Sequence, residues 1–152
     1  VLLHAVRLPA ALSDKKGLLT MAWDTVWLFL TICIVCVRDG SMEELRGGLT
    51  VAAVYMLGVW LVFGIARYAK LDRFKKAGCI AAVCGLWTAF GQDICNWLLG
   101  EGIRLTIRSA DFSSWNTDLQ INANVYLIVL TGSLVLGGIL FVTGLIKERK
   151  RG

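Results

Sequence analysis

Four apolar stretches, at about residues 17–37, 49–68, 79–99 and 125–146, constrain this chain more than anything else in it. Each has roughly the 20 residues that a helix needs to cross a ~30 Å hydrocarbon core. None alternates apolar and polar residues as a barrel strand does. Without water in the bilayer core, only helices and closed barrels satisfy the backbone amides. The expected fold class is therefore all-α, an integral membrane bundle of four transmembrane helices.

Composition agrees with this. Hydrophobic residues are 57% of the chain and charged ones 18%, against about 45–50% and 25% in an average soluble domain. That balance excludes a mostly disordered chain, and the absence of a recurring motif excludes a repeat protein. The net charge of +5 does not point to nucleic acid. A nucleic-acid reader gathers Lys and Arg on one solvated face with aromatics between them, whereas here they sit in short clusters between apolar runs. The lipid bilayer is the first expected partner.

Charge also orients the spans. The N-terminal segment, the second loop and the C-terminal tail carry twelve of the sixteen Lys and Arg residues, and the first and third loops carry four. The positive-inside rule then places both termini in the cytoplasm. The chain divides into a cytoplasmic or inner-interfacial segment at 1–16, the transmembrane domain at 17–146 and a basic tail at 147–152. Residues 1–12 are apolar apart from His4 and Arg7 and are interrupted by Pro9. They are too short to span and lack a small-residue cleavage site, so they read as a segment lying on the inner membrane surface. A loosely ordered terminus is the alternative. Expected helix starts are Ser41 with Glu44 as a capping box, Asp72 for the third helix, and Asn122 or Asn124 for the fourth.

Polar residues within spans are costly, about 2.5–3.5 kcal/mol for an Asp at a helix centre. Asp24 and Asp93 qualify. Asp24 lies between Trp23 and Trp27, and its plainest reading is a carboxylate near the inner headgroups that pairs with Lys15 or Lys16. Asp93 follows Ala81, Gly85 and Ala89 at steps of four, with Gln92 and Asn96 beside it. That spacing puts small and polar residues on one helical face, where backbones approach closely. Such a face serves either as a structural hydrogen-bond network or as the lining of an ion or proton path. Ser133, Gly137 and Gly144 form a similar packing stripe on the fourth helix. Gly58 and Gly64 in the second helix are spaced by six and form none.

Cys33, Cys36, Cys79, Cys84 and Cys95 all lie in expected spans and at different depths, so no four-cysteine zinc site is expected. Their default use is as small hydrophobes; a bridge between Cys95 and the Cys33/Cys36 pair is the minority alternative. The only histidine is His4, which excludes a Ser-His-Asp triad in the spans. No H-E-x-x-H, P-loop or G-x-G-x-x-G motif occurs. The third loop, 102–124, mixes Arg104, Arg108, Asp111 and Asp118 with Phe112 and Trp115. It reads as an interfacial loop at the outer headgroups or as a surface for an extracytoplasmic partner.

The expected role is non-enzymatic, without cofactor or metal, and works by helix association. Its most specific form is an oligomeric pore or channel, holin-like or for transport, with the Asp93 face lining it. The alternative is an accessory or assembly subunit of a larger membrane complex, including an immunity or exclusion protein that binds another membrane protein. The expected location is a bacterial inner membrane, with an organellar membrane as the alternative.

Overall fold

The computed structural model describes residues 15–40 and 42–150. Residues 1–14, with His4 and the proposed interfacial segment, lie outside the described residues, as does Ser41 with its capping box. Among the described residues there are four α-helices, one short 3-10 turn and no strand. The helices are α1 (Lys16–Asp39), α2 (Met42–Tyr68), α3 (Arg73–Leu99) and α4 (Asp118–Arg149). At 1.5 Å per residue they measure about 36 to 48 Å, and all four are long and apolar enough to cross a membrane.

Local chemistry sets the ends. Gly40 takes the left-handed conformation that closes α1, and its N–H is bonded to the Val37 carbonyl. Asp72 caps α3 by accepting from the Phe74 N–H at 3.1 Å. At the other end Gly100, with φ +91°, lets the Glu101 N–H reach back to the Asn96 carbonyl at 2.9 Å, the Schellman closure that a β-carbon would strain.

The start of α4 corrects the sequence reading. Neither Asn122 nor Asn124 caps it. Thr117 does, accepting from the Gln120 N–H at 3.3 Å, with Asp118 in the first turn. Thr117 and Gln120 have capping-box spacing, so the helix begins seven residues before the expected span and the third loop ends at Thr117. At its other end α4 runs through Lys147 to Arg149, so the first half of the basic tail is helix.

The chain divides into two compact units within α2, Val1–Ala52 and Ala53–Gly152. In the first, Gly48 of α2 faces Ile32 of α1, where a β-carbon would meet the Ile32 side chain at 3.2 Å. In the second, α3 and α4 run antiparallel along a seam of small residues. A β-carbon at Gly78 would stand 2.5 Å from the Gly137 carbonyl oxygen. One at Gly137 would stand 2.8 Å from the Gly78 carbonyl oxygen. Farther along, a β-carbon at Gly85 would collide with Ser133, and Gly144 lies against Lys75. Backbones meet here because nothing stands between them, which is how helices associate where lipid supplies no hydrophobic drive. An ion pair between Lys75 and Glu148 closes the end of the seam, and Lys147 sits 4.7 Å above the Phe74 ring centroid.

The α2–α3 contact in the second unit is different in kind. The Trp87 indole N–H donates to the Val54 carbonyl of α2 at 3.0 Å. Its ring covers Gly58, where a β-carbon would meet the indole at 2.5 Å.

Candidate functional site

The polar residues of α3 converge on its C-terminal end, and the loop that follows folds back over them. Asp93 is only 5% exposed, in a helix whose other buried residues are Gly, Ala and Cys apart from Lys75 at its start. Both of its carboxylate oxygens accept from the Thr106 backbone N–H, at 3.1 and 3.2 Å, and one also accepts from the Thr106 hydroxyl. Thr106 opens the 3-10 turn Thr106–Ser109, so the carboxylate orients the exposed N–H at the start of that turn and ties the loop to α3. Charge-assisted bonds of this kind are about twice as strong as neutral ones.

A second tie comes from α4. Asn124 is fully buried, and its carbonyl oxygen accepts from the Asp111 N–H at 2.7 Å. Its amide donates to the Asp111 carbonyl at 2.8 Å and to the Ser114 carbonyl at 3.3 Å. One side chain thus replaces the backbone partners that this loop segment lacks. Asp111 in turn accepts from the Ser113 hydroxyl and N–H, at 2.6 and 3.0 Å. Those two bonds, the hydroxyl first, hold its carboxyl below the usual carboxylate range. Among the described residues no buried side-chain nitrogen or oxygen lacks a partner.

The other residues singled out in the sequence fall as follows. Gln92 is exposed and accepts from the Tyr126 hydroxyl of α4 at 2.8 Å. Asn96 is half-buried and turns toward the loop. Gln92 and Asp93 therefore serve separate contacts, while Asn96 lines the space beside the loop. Gly85 and Ala89 are buried, but Ala81 is only half-buried. Gly78 takes the place expected for Ala81, with Ala82 next to Gly137. On α4, Ser133 meets α3 opposite Gly85, Gly137 opposite Gly78, and Gly144 opposite Lys75.

Asp24 is exposed on α1, and the expected pairing with Lys15 or Lys16 is not made. Lys16 is eight residues away, about 12 Å along the axis, and a lysine there leans toward the N-terminus, away from Asp24. The nearby Thr20 and Thr31 hydroxyls bond to carbonyls of their own helix, at 2.9 and 2.8 Å. Asp24 has no hydrogen bond or ion pair among the described residues. Trp23 and Trp27 flank it edge to face, with ring centroids 6.0 Å apart.

All five cysteines are free thiols. No cluster of His, Cys, Asp and Glu suited to a metal occurs among the described residues. Residues that the sequence did not single out carry much of the architecture: Thr106, Lys75, Glu148 and Trp87. Comparison with protein-family models, curated proteins and solved structures finds no match to this chain.

Proposed function

We propose that this chain is a multi-pass membrane protein, with both termini in the cytoplasm and a bacterial inner membrane as its location, that works without catalysis by lateral association with another membrane protein. In this reading it is an accessory or assembly subunit, a class that includes immunity and exclusion proteins. The observation that carries the proposal is Asp24. This exposed carboxylate has no partner among the described residues, and its helix buries none of its apolar span. A charged group facing lipid is expensive, and ionisable residues in spans pair with something. A cationic or hydrogen-bond-donating side chain on a neighbouring membrane protein would satisfy it. The alternative of an oligomeric pore lined by α3 draws no support from Asp93, whose carboxylate is nearly buried in the single chain and bonded to Thr106.

The experiment is photocrosslinking in native membranes, with the crosslinker placed at Thr20 or Leu28, one turn either side of Asp24. The expected outcome is one discrete adduct with a different membrane protein, lost in Asp24→Leu and retained in Asp24→Asn. Adducts with the chain itself would favour a homo-oligomer, and adducts with lipid alone would remove the association reading. Labelling of Lys70 from the cytoplasmic side and of Ser113 only from outside is the expected topology; the reverse pattern would overturn the orientation.

A further inference from the structure

We infer that the end of α3 and the loop after it bind the headgroup and one acyl chain of a lipid carrying a phosphoethanolamine group. The inference rests on the membrane reading above. A cavity of about 530 Å³ opens between α3, the loop and the start of α4. Among its walls are the Asn96 amide, the Glu101 carboxylate, the Arg104 guanidinium and the Ser109 hydroxyl. None of these four side chains makes a hydrogen bond or ion pair among the described residues. Glu101 and Arg104 line the same space without closing on each other.

Opposite charges that line one cavity without pairing fit a dipolar guest better than a simple anion or cation. A guanidinium is suited to a phosphate, which it grips through paired N–H groups. A carboxylate and an amide oxygen suit a primary ammonium, which offers three donors. The loop backbone that carries these side chains is tied down at Thr106. Asp93 fixes Thr106 and with it the loop, and Gly102 lines the cavity at φ +84°, a conformation that side chains resist.

A second, apolar groove of about 190 Å³ adjoins the first. Phe90, Ile94 and Trp97 form one stripe of it on α3, at spacings that keep them on a single helical face. Leu105 lines both spaces. A polar cavity that meets an apolar groove at one residue matches an amphiphile, and a free zwitterion would leave the groove without use. The lipid is therefore the committed occupant.

The test uses the full-length protein purified in mild detergent, with native mass spectrometry to count retained lipid after addition of phosphatidylethanolamine, phosphatidylcholine or phosphatidylglycerol. The expected result is preferential retention of phosphatidylethanolamine. The trimethylated ammonium of phosphatidylcholine cannot donate to Glu101, and phosphatidylglycerol has no ammonium. Glu101→Gln and Arg104→Gln should each lower retention about tenfold, the scale of one charge-assisted contact. Both side chains are exposed and bond nothing else, so helix content should be unchanged. Trp97→Ser should weaken lipid retention and leave soluble phosphoethanolamine unaffected. Equal retention of the three lipids, or indifference to both charge substitutions, would overturn the proposal. Soluble phosphoethanolamine binding as tightly as the lipid would overturn the choice of a lipid. Extraction of the chain from membranes by alkaline carbonate is a separate result, and it would remove the membrane reading instead.

Discussion

Helices α1 and α3 are both apolar enough to cross a bilayer, yet α1 buries none of its span while α3 buries a third. Hydropathy does not explain the difference, because α3 has the lowest mean hydropathy of the four. What α3 has, and α1 lacks, is a run of Gly and Ala at a spacing that returns to one face, with a carboxylate that finds a donor 13 residues later. In lipid an apolar side chain gains little by leaving its surroundings for another helix. Close backbone approach and polar satisfaction are the remaining sources of association. The contrast separates residues that put a helix into a membrane from residues that make it pack once there.

Enlarging the seam should give the largest effect. Gly137→Leu or Gly78→Leu must displace backbone atoms of the facing helix, which have no rotamer to move. The expected loss is about 1–3 kcal/mol of α3–α4 pairing, the usual cost of overpacking, read as a shift in detergent-driven unfolding. Gly138→Ala has nothing within 4 Å of its new β-carbon, and enlarging half-exposed Val35 to Phe on α1 meets open surface. Both should leave the transition in place. If Val35→Phe cost as much as Gly137→Leu, the contrast between the two helices would collapse.

Next in size are the loop ties. Asp93→Ala leaves the Thr106 N–H without its partner, and Asn124→Ala removes three bonds at a fully buried position. Each should cost roughly 1–3 kcal/mol and speed proteolysis of residues 101–117. Asp24→Ala, the corresponding removal on α1, should change neither the unfolding transition nor the proteolysis rate of the isolated protein. A stability loss there would mean that α1 has an internal partner for its carboxylate.

The smallest effect is a pH dependence confined to the loop. Ser113 stabilises the ionised form of Asp111, so its folded pKa lies below the ordinary value. The contribution is then complete above the usual carboxylate range, about pH 4, and disappears as pH falls through the folded value. Protection of the Ser113 amide, taken as its hydrogen exchange relative to the intrinsic rate at each pH, should fall on acidification, and Ser113→Ala should flatten the dependence. Protection that rose in acid would reverse the sign and sink the assignment.

The four spans were legible because hydropathy is written residue by residue, and insertion needs no knowledge of neighbours. The register of the α3–α4 seam was only partly legible. A stripe spaced by four drifts about 40° around the helix at each step, so Ala81 falls off the contact line that Gly85 and Ala89 share, and Gly78 and Ala82 replace it. The cap at Thr117 could be read from the Thr117/Gln120 spacing alone. Asn124 could not be assigned, since an asparagine near a helix start fits a cap as well as a staple, and only the folded loop decides. Asp93 stood out by its cost in a membrane, but its partner Thr106 is an ordinary loop threonine with no local signal. Trp87 and Gly58 leave no periodic trace, because one large ring over one glycine is a single contact and not a pattern.

Synthesis order adds a temporal side to the Lys75–Glu148 pair. Asp93 meets its partner after 13 further residues, whereas Lys75 must wait for 73. At about 5–20 residues per second, that wait is roughly 4–15 s. During it the lysine can reach the headgroups from its helix end. On this order the hairpin closes from its loop toward its charged end, and the ion pair forms only after the last turn of α4 has been made.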